Sequence, residues 1–322
     1  MVGGRFRRGV NLSLTMSAST SELAIGIDLG GTNIKAALIE KHTGRQITHL
    51  SRPTRDGEFV DGVPQFALTV RSIVVELETL AGGQKLPVGL SAPGLAHPQG
   101  HCIQWMPGRM HGLEKLDWPS FLDRRVNVLN DAQAALLGEV WVGAAQGCQD
   151  VFMVTLGTGV GGAIYSGGRL LKGALGRAGH LGHITTDLNA PVDLFGTPGS
   201  LEVAIGNKTL QARGKGQYAT THALLAACAA GDAEAEKIWL ESVRHLAAGL
   251  ASLINVLDPE LIILGGGIAT GAGERLLQPL AAFLDQYEWR PGGHQVRLAL
   301  AALGDDAGAY GAVHSLGSFA TT

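Results

Sequence analysis

Cysteine, charge and long apolar runs are all scarce in this chain. The three cysteines, Cys102, Cys148 and Cys228, are isolated and odd in number with no C-x-x-C pair, which argues against a disulfide framework and a cysteine zinc site and fits a reducing cytoplasm. No segment approaches the ~20 apolar residues that span a bilayer. Twenty-five Lys and Arg against 28 Asp and Glu give a formal net charge of −3, without a basic block or basic-aromatic interleaving, so nothing is laid out to track a phosphate backbone and no nucleic-acid partner is expected. What the chain does have is 45% hydrophobic residues and 47 glycines without a Gly-X-Y period, the composition of a compact globular protein rich in tight turns. At 322 residues it can hold two cores. Residues 1–21 are basic but lack the apolar centre of a signal peptide. They read as a disordered tail, with Met16 the more natural beginning.

From Leu23 the order is strand, glycine turn, strand: LAIGIDL, GGTN, IKAALIE, continued by RQITHLSR, an antiparallel meander. QFALTVRSIVVELETLAG has helical spacing and ends at Gly82-Gly83. LPVGLSAPG and RVNVLND are strands, and AQAALLGEVWVGAA is a helix starting directly after Asp131. The second half repeats the theme with DVFMVTL, GTGVGG and AIYSGGRLLKG, followed by a long helical region (HALLAAC to NVLD), the strand LIILGGG, the run QVRLALAAL and the helical AGAYGAVHSLG. Two α/β halves, each opening on a glycine-turned hairpin, predict a duplicated architecture around a cleft.

Taken alone, GTGVGG matches the dinucleotide fingerprint G-x-G-x-x-G, but that motif needs a helix next, and AIYSGG alternates like a strand. A dehydrogenase is therefore the weakest of the readings. As a set, the turns at Asp28 to Thr32 and Gly157 to Gly159 can bring backbone N–H groups to phosphate oxygens, and a third turn at Gly265 to Gly267 closes a strand where a base and ribose can lie. Asp28 can hold a water on Mg²⁺, an ion that favours carboxylates and substrate phosphates. Asp131, where a strand ends and a helix begins, suits a base for a substrate hydroxyl or, alternatively, a helix N-cap; one carboxylate can do both.

AIGIDLGGTNIKAALIE, LSAPGL, VNVLNDAQAALLGE, VTLGTGVGGAIYSGGRLLKGALGRAGHLGH, NVLDPELIILGGGIA and LGDDAGAYGA resemble, in order, the signatures of the ROK family (repressors, open reading frames, kinases). The resemblance runs from about Leu23 to Gly311. It implies an α/β protein with the actin-like, ribonuclease H-like two-domain sugar kinase fold and an interdomain cleft. The smaller N-terminal domain would comprise residues 22–130 plus 305–322 and the larger one 131–304, with the last helix, after Gly304, packing back on the first domain. It further implies ATP-dependent phosphorylation of a sugar hydroxyl with Mg²⁺, and a homodimer. Asp131 would be the catalytic base. Asp28, Gly30, Gly31, Thr32, Lys35, Gly157, Thr158, Gly159, Gly265 and Gly266 would serve ATP and its phosphates. Ser91, Pro93, Gly94, Arg109, Asn130, His180, His183 and Glu202 would line the sugar pocket together with Asp131. Repressor relatives carry a winged helix-turn-helix before the first glycine turn, and the twenty or so residues here are too few for one, which disfavours a DNA-binding repressor.

The chain departs from the family pattern at its most substrate-specific positions. The family's G-E-x-G-H and C-x-C-G-x-x-G-C-x-E correspond here to GHLGH and DLFGTPGSLE. His180 replaces a sugar-binding Glu, while Asp193, Phe195 and Ser200 replace the three zinc-binding Cys. No structural zinc is expected, because such sites need four ligands drawn mostly from Cys and His; apolar packing through Phe195 would hold the loop instead. Arg109 occupies the position of a sugar-binding Asn, unless it is a solvated surface Arg. An ionised Glu only accepts hydrogen bonds, whereas a neutral His both donates and accepts, and Arg brings a fixed fork of donors. These changes point from glucose towards a modified hexose, a cyclitol or a keto-cyclitol. The rival reading is a catalytically silent sugar-binding regulator of the same fold.

Overall fold

The structure, a computed structural model, describes residues 22–317; the tail expected over residues 1–21 lies outside them. Each half is built on one five-stranded sheet. In the first, β1 (Leu23–Leu29), β2 (Asn33–Glu40) and β3 (Gln46–Pro53) form the antiparallel meander, and β4 (Val88–Ala92) and β5 (Val126–Asn130) add in parallel, in the order β3-β2-β1-β4-β5. In the second, β6 (Val151–Leu156), β7 (Val160–Ser166) and β8 (Arg169–Leu170) are antiparallel, and β9 (Leu261–Gly265) and β10 (Arg297–Leu300) extend them in parallel, in the order β8-β7-β6-β9-β10. The expected duplication is thus present strand for strand.

Helices cover the sheets, which is why β1, β4, β5 and β9 are buried almost throughout instead of alternating. Helix α1 (Gln65–Leu80) closes one face of the first sheet through Phe66, Val70, Ile73 and Leu77. Helix α2 (Asp131–Val142) follows β5 directly. In the second half come α3 (Leu201–Ile205), α4 (Leu210–Arg213), α5 (Thr221–Ala229), α6 (Ala233–Leu257), α7 (Gly266–Ala272) and α8 (Glu274–Tyr287). The core there includes Phe152, Trp239, Leu246 and Leu280.

The last helix, α9 (Ala307–His314), returns to pack on β1, β2 and β4 and against α2. That approach requires bare backbone: a Cβ on Gly26 would lie 2.2 Å from the Ala309 carbonyl oxygen, and one on Gly89 2.0 Å from that of Ala312. Among the described residues no helix is long and apolar enough to cross a membrane.

Three local expectations need correction. The long helical region is two helices, because Gly231 takes φ +87° and Asp232 caps α6 by accepting the N–H groups of Glu234 and Ala235. The run AIYSGGRLLKG is broken at Gly167 and Gly168, both at positive φ, into β7 and β8. The third glycine turn is a strand-to-helix junction: Gly265 ends β9 and Gly266, at φ +82°, begins α7. Helix α8, amphipathic around Leu276, Leu280 and Leu284, was not among the expected elements.

Candidate active site

Parallel pairing places the first group of predicted residues at one sheet edge. Asp28 of β1 lies opposite Ser91 of β4, and Ala92 opposite Asn130 of β5, so Asp28, the SAPG loop and the start of α2 meet where the strands end, the usual ligand edge of α/β sheets. In the second sheet Thr155 of β6 pairs with Gly265, which brings the Gly157 to Gly159 turn beside the Gly265-Gly266 junction.

Asn130, not Asp131, is the cap of α2. Its Oδ1 accepts the N–H groups of Ala132 (3.0 Å) and Gln133 (3.4 Å), and the Gln133 side chain reaches back to the Asn130 N–H. Its Nδ2 donates to the Gly94 carbonyl at 2.9 Å, leaving one N–H for any ligand. Gly94, at φ +104°, has no room for a Cβ between Ile103, the Trp105 carbonyl and Met106, so the loop is fixed from both sides. Pro93 is buried behind it.

Asp131 is therefore the first helical residue, and its side chain is free to face outward. It is exposed to solvent while lying deep among protein atoms, as a group on a cleft floor does. That enclosure pushes its pKa up. The Ala132 N–H and the charges of Arg109 and His180 pull the other way without overcoming it. Arg109, itself exposed, is thus within electrostatic reach of Asp131. Burial holds the His180 imidazole below its ordinary pKa, and its Nε2 is buried without a hydrogen-bond partner among the described residues.

Asp28 is the second perturbed carboxyl. Ser91, fully buried, donates its hydroxyl to Asp28 Oδ1 at 2.7 Å, so Ser91 supports Asp28 and does not line the pocket. Burial pushes the Asp28 pKa to about 6, with the Asp131 and Asp305 charges adding and the Ser91 bond and Lys35 opposing. Lys35 itself pairs with exposed Asp305 at 2.6 Å. A carboxyl raised in the folded state favours folding most when protonated, so its contribution is full below its unfolded value near 3.8 and is lost as pH rises through about 6. Asp28→Asn, which stays neutral, should match wild type in stability near pH 3.5 and exceed it by up to about 3 kcal/mol above pH 6. Denaturant titrations across that range check this; a pH-independent difference would refute it.

The glycine turns at Gly30 to Thr32 and Gly157 to Gly159 are braced by Thr54, Asn207 and Lys208, which the sequence did not single out, and by Glu202, expected there as a sugar ligand. Thr54, fully buried, donates its hydroxyl to the Gly30 carbonyl (2.6 Å) and its N–H to the Thr32 carbonyl (2.9 Å), leaving Gly31 and Thr32 exposed at the tip. The Asn207 and Lys208 N–H groups bind the carbonyls of Gly157 and Thr158. Glu202 Oε2 accepts the Val160 N–H at 3.1 Å, and a Cβ on Gly159 would sit 2.3 Å from it. Glu202 thus supports the second turn from behind.

His183 and the three positions expected to lack zinc ligands form a closed arrangement of their own. Asp193 Oδ2 lies 2.8 Å from His183 Nδ1, and Asp193 Oδ1 accepts the N–H groups of Phe195 and Thr197. Burial would raise the Asp193 pKa, but these bonds together hold it below the usual value. The Phe195 ring stands edge-on to His183 at 4.9 Å and 5.4 Å from Trp105. The Ser200 hydroxyl is turned to the Val203 N–H, capping α3. These residues do not fit a zinc ion: an aromatic ring stands at one ligand position and a hydroxyl that caps α3 at another, so four suitable ligands are not present. The loop is held by the Asp193 bonds as well as by the aromatic packing that the sequence suggested. Contacts from Gln104 to the Leu175 carbonyl (2.6 Å) and from Lys172 to the Pro98 carbonyl (3.1 Å) join this segment to the first half.

Comparison with known proteins gives the family. The chain is 31% identical to a glucokinase of Halalkalibacterium halodurans, covering 89% of this chain and 92% of the relative. It is 30% identical to an N-acetylmannosamine kinase of Citrobacter koseri over 89% and 96%. The crystal structure of a ROK family glucokinase from Streptomyces griseus in complex with glucose and AMPPNP superposes with a TM-score of 0.72 at 28% identity, covering 90% of this chain and 98% of that one. The ROK family model matches residues 24–316, nearly everything the structure describes, and the chain belongs to the ROK family.

Proposed function

We propose that this protein is an ATP-dependent carbohydrate kinase whose ring substrate is not plain glucose. One observation carries the reading: Asp131, solvent-reaching and raised in pKa at the C-terminal end of β5, stands within electrostatic reach of Arg109 and of a His180 whose Nε2 lacks a partner. Phosphoryl transfer to an alcohol asks the protein for alignment, charge compensation and removal of one proton. Asp131 accepts that proton, and its raised pKa makes it a stronger base than an ordinary carboxylate. The exposed tips at Gly31-Thr32 and Thr158 receive the phosphates on backbone N–H groups. Glu202, Thr54 and the Asn207 segment keep those tips still.

Among the described residues no three His, Cys, Asp or Glu side chains are placed to hold a metal by themselves. Magnesium delivered with ATP needs only one or two carboxylates, and Asp28 fits, since Asp131 and Asp305 already load that edge with negative charge. When bound, the ion neutralises phosphate charge. Neutral His180 offers a donor and an acceptor, and Arg109 offers donors only, a set matched to a ring carrying a carbonyl or acidic group beside its hydroxyls.

The test is ADP release from Mg-ATP with hexoses, amino sugars, sugar acids, cyclitols and keto-cyclitols. The expected result is turnover of a ring other than glucose, with His180→Glu shifting the kcat/KM ratio towards glucose by about tenfold or more. Preference of the wild type for glucose would refute the specificity. Saturable sugar binding with no ADP release from any ring would reassign the chain to a silent regulator.

A further inference from the structure

We propose that a cavity behind the second phosphate turn is a separate ligand site, one that takes a small molecule with an apolar body and one anionic group. The cavity measures about 560 Å³, within the range of small-molecule sites. None of the residues expected to bind ATP or sugar lines it. Val192, Val203, Ala204, Ala212 and Ile238 supply an apolar wall.

The charge follows from Arg213. This half-buried side chain donates from Nη1 to the Ser242 hydroxyl (2.6 Å), from Nη2 to the Gly206 carbonyl (2.8 Å) and from Nε to the Thr209 hydroxyl (3.4 Å). All three acceptors are neutral. Among the described residues no carboxylate pairs with Arg213, nor with Lys215 or Lys237 in the same wall, while Glu241 is engaged by Arg244 at 2.7 Å and His245 at 3.4 Å. Asp187, whose Oδ1 accepts the Asn189 N–H, and Glu234 are the other carboxylates of the lining. With Glu241 offset by Arg244, three cations of the lining face two carboxylates that pair with no cation among the described residues, and the local excess is positive. A guanidinium withdrawn from water is costly without an opposite charge, and burial depresses the Arg213 pKa to about 10. An anion seated in the cavity would relieve that cost.

Helix α3 is the partition between this cavity and the phosphate turn. Val203 and Ala204 face the cavity, and their neighbour Glu202 braces Val160. Arg213 and Thr209 both bind the Gly206 carbonyl, immediately before Asn207 and Lys208, which hold Gly157 and Thr158. Occupancy at Arg213 is thus transmitted to the turn through a few hydrogen bonds. This coupling rests on the kinase reading above; the binding itself does not.

The probe is anilinonaphthalene sulfonate, an apolar anion that fluoresces when shielded from water, titrated into the full-length protein. The expected result is saturable binding at one site that persists under saturating Mg-ATP. Affinity should fall by about tenfold or more in Arg213→Gln and in Ala212→Trp, which fills the cavity from the exposed side of α4. Ala212→Trp keeps the test decisive if Arg213→Gln fails to fold. Absence of saturable binding, displacement by Mg-ATP, or indifference to Ala212→Trp would overturn the site, as would a signal lost with rising protein concentration, which would mean that a second copy covers the cavity. In the kinase assay, the probe should change the KM for ATP; an unchanged KM would overturn the coupling and leave the binding result standing.

Discussion

Asp131→Asn should lower kcat by ~100-fold or more and leave the fold intact, because the general base contributes at least that much to proton removal. The structure separates the two effects cleanly. Cap duty at the start of α2 belongs to Asn130, so removing the Asp131 charge does not uncap the helix. Enclosure already disfavours the ionised carboxyl, so the neutral amide should unfold at the same temperature as wild type or higher. The pH profile supplies an independent check. The base must be ionised, so wild-type kcat/KM should climb with pH through a value above the ordinary carboxylate range, and the residual rate of the Asn variant should lack that limb. Wild-type turnover by Asp131→Asn would remove Asp131 from the chemistry. A large loss of melting temperature would make its role structural.

The meander and both hairpins were legible because they rest on local signals: glycine turns flanked by apolar runs, with Gly30 to Thr32 and Gly157 to Gly159 at the tips. The meeting of Asp28 with Asn130 and Asp131 was implied only by the family resemblance; it comes about because the parallel strands of the first sheet end at one edge. What a side chain in that edge is bonded to was not legible. Ser91 and Asn130 looked like ligands by position, yet most of their hydrogen-bonding capacity goes to Asp28, to Gly94 and to the first turn of α2. Thr54 carries no motif, and its role exists only because β3 ends beside the first turn. Asp193 was visible as a lost zinc ligand, but its bond to His183 depends on the path of a loop without periodicity. Propensity and spacing specify backbone; partners of polar side chains are settled by packing.

The second large effect concerns stability, and it opposes two helical glycines. Gly249 lies inside α6, where an added Cβ would meet Thr186, Leu201 and Ile184 at 3.5 to 3.9 Å, ordinary contact distances. Gly249→Ala should therefore stabilise the protein by up to about 1 kcal/mol, the propensity difference. Gly311 lies inside α9, where a Cβ would stand 1.7 Å from the Ala134 carbonyl oxygen and 2.7 Å from the Gly138 nitrogen, both backbone atoms of α2. Gly138 is equally tight, with its added Cβ 2.5 Å from the Ala307 carbonyl oxygen. No rotamer change can make room, so Gly311→Ala must part the helices, and the loss should reach about 3 kcal/mol, the upper part of the range for overpacking. The damage should also appear in catalysis. Helix α2 begins with Asp131, and α9 touches the Asp28 carboxylate through Gly308, where a Cβ would lie 2.8 Å away. Displacing α2 by ~1 Å misaligns the base, an error that can cost on the order of 100-fold in rate. Chemical denaturation and kcat measured on both variants decide the matter: a stable, fully active Gly311→Ala would show that α2 and α9 can separate without moving the site.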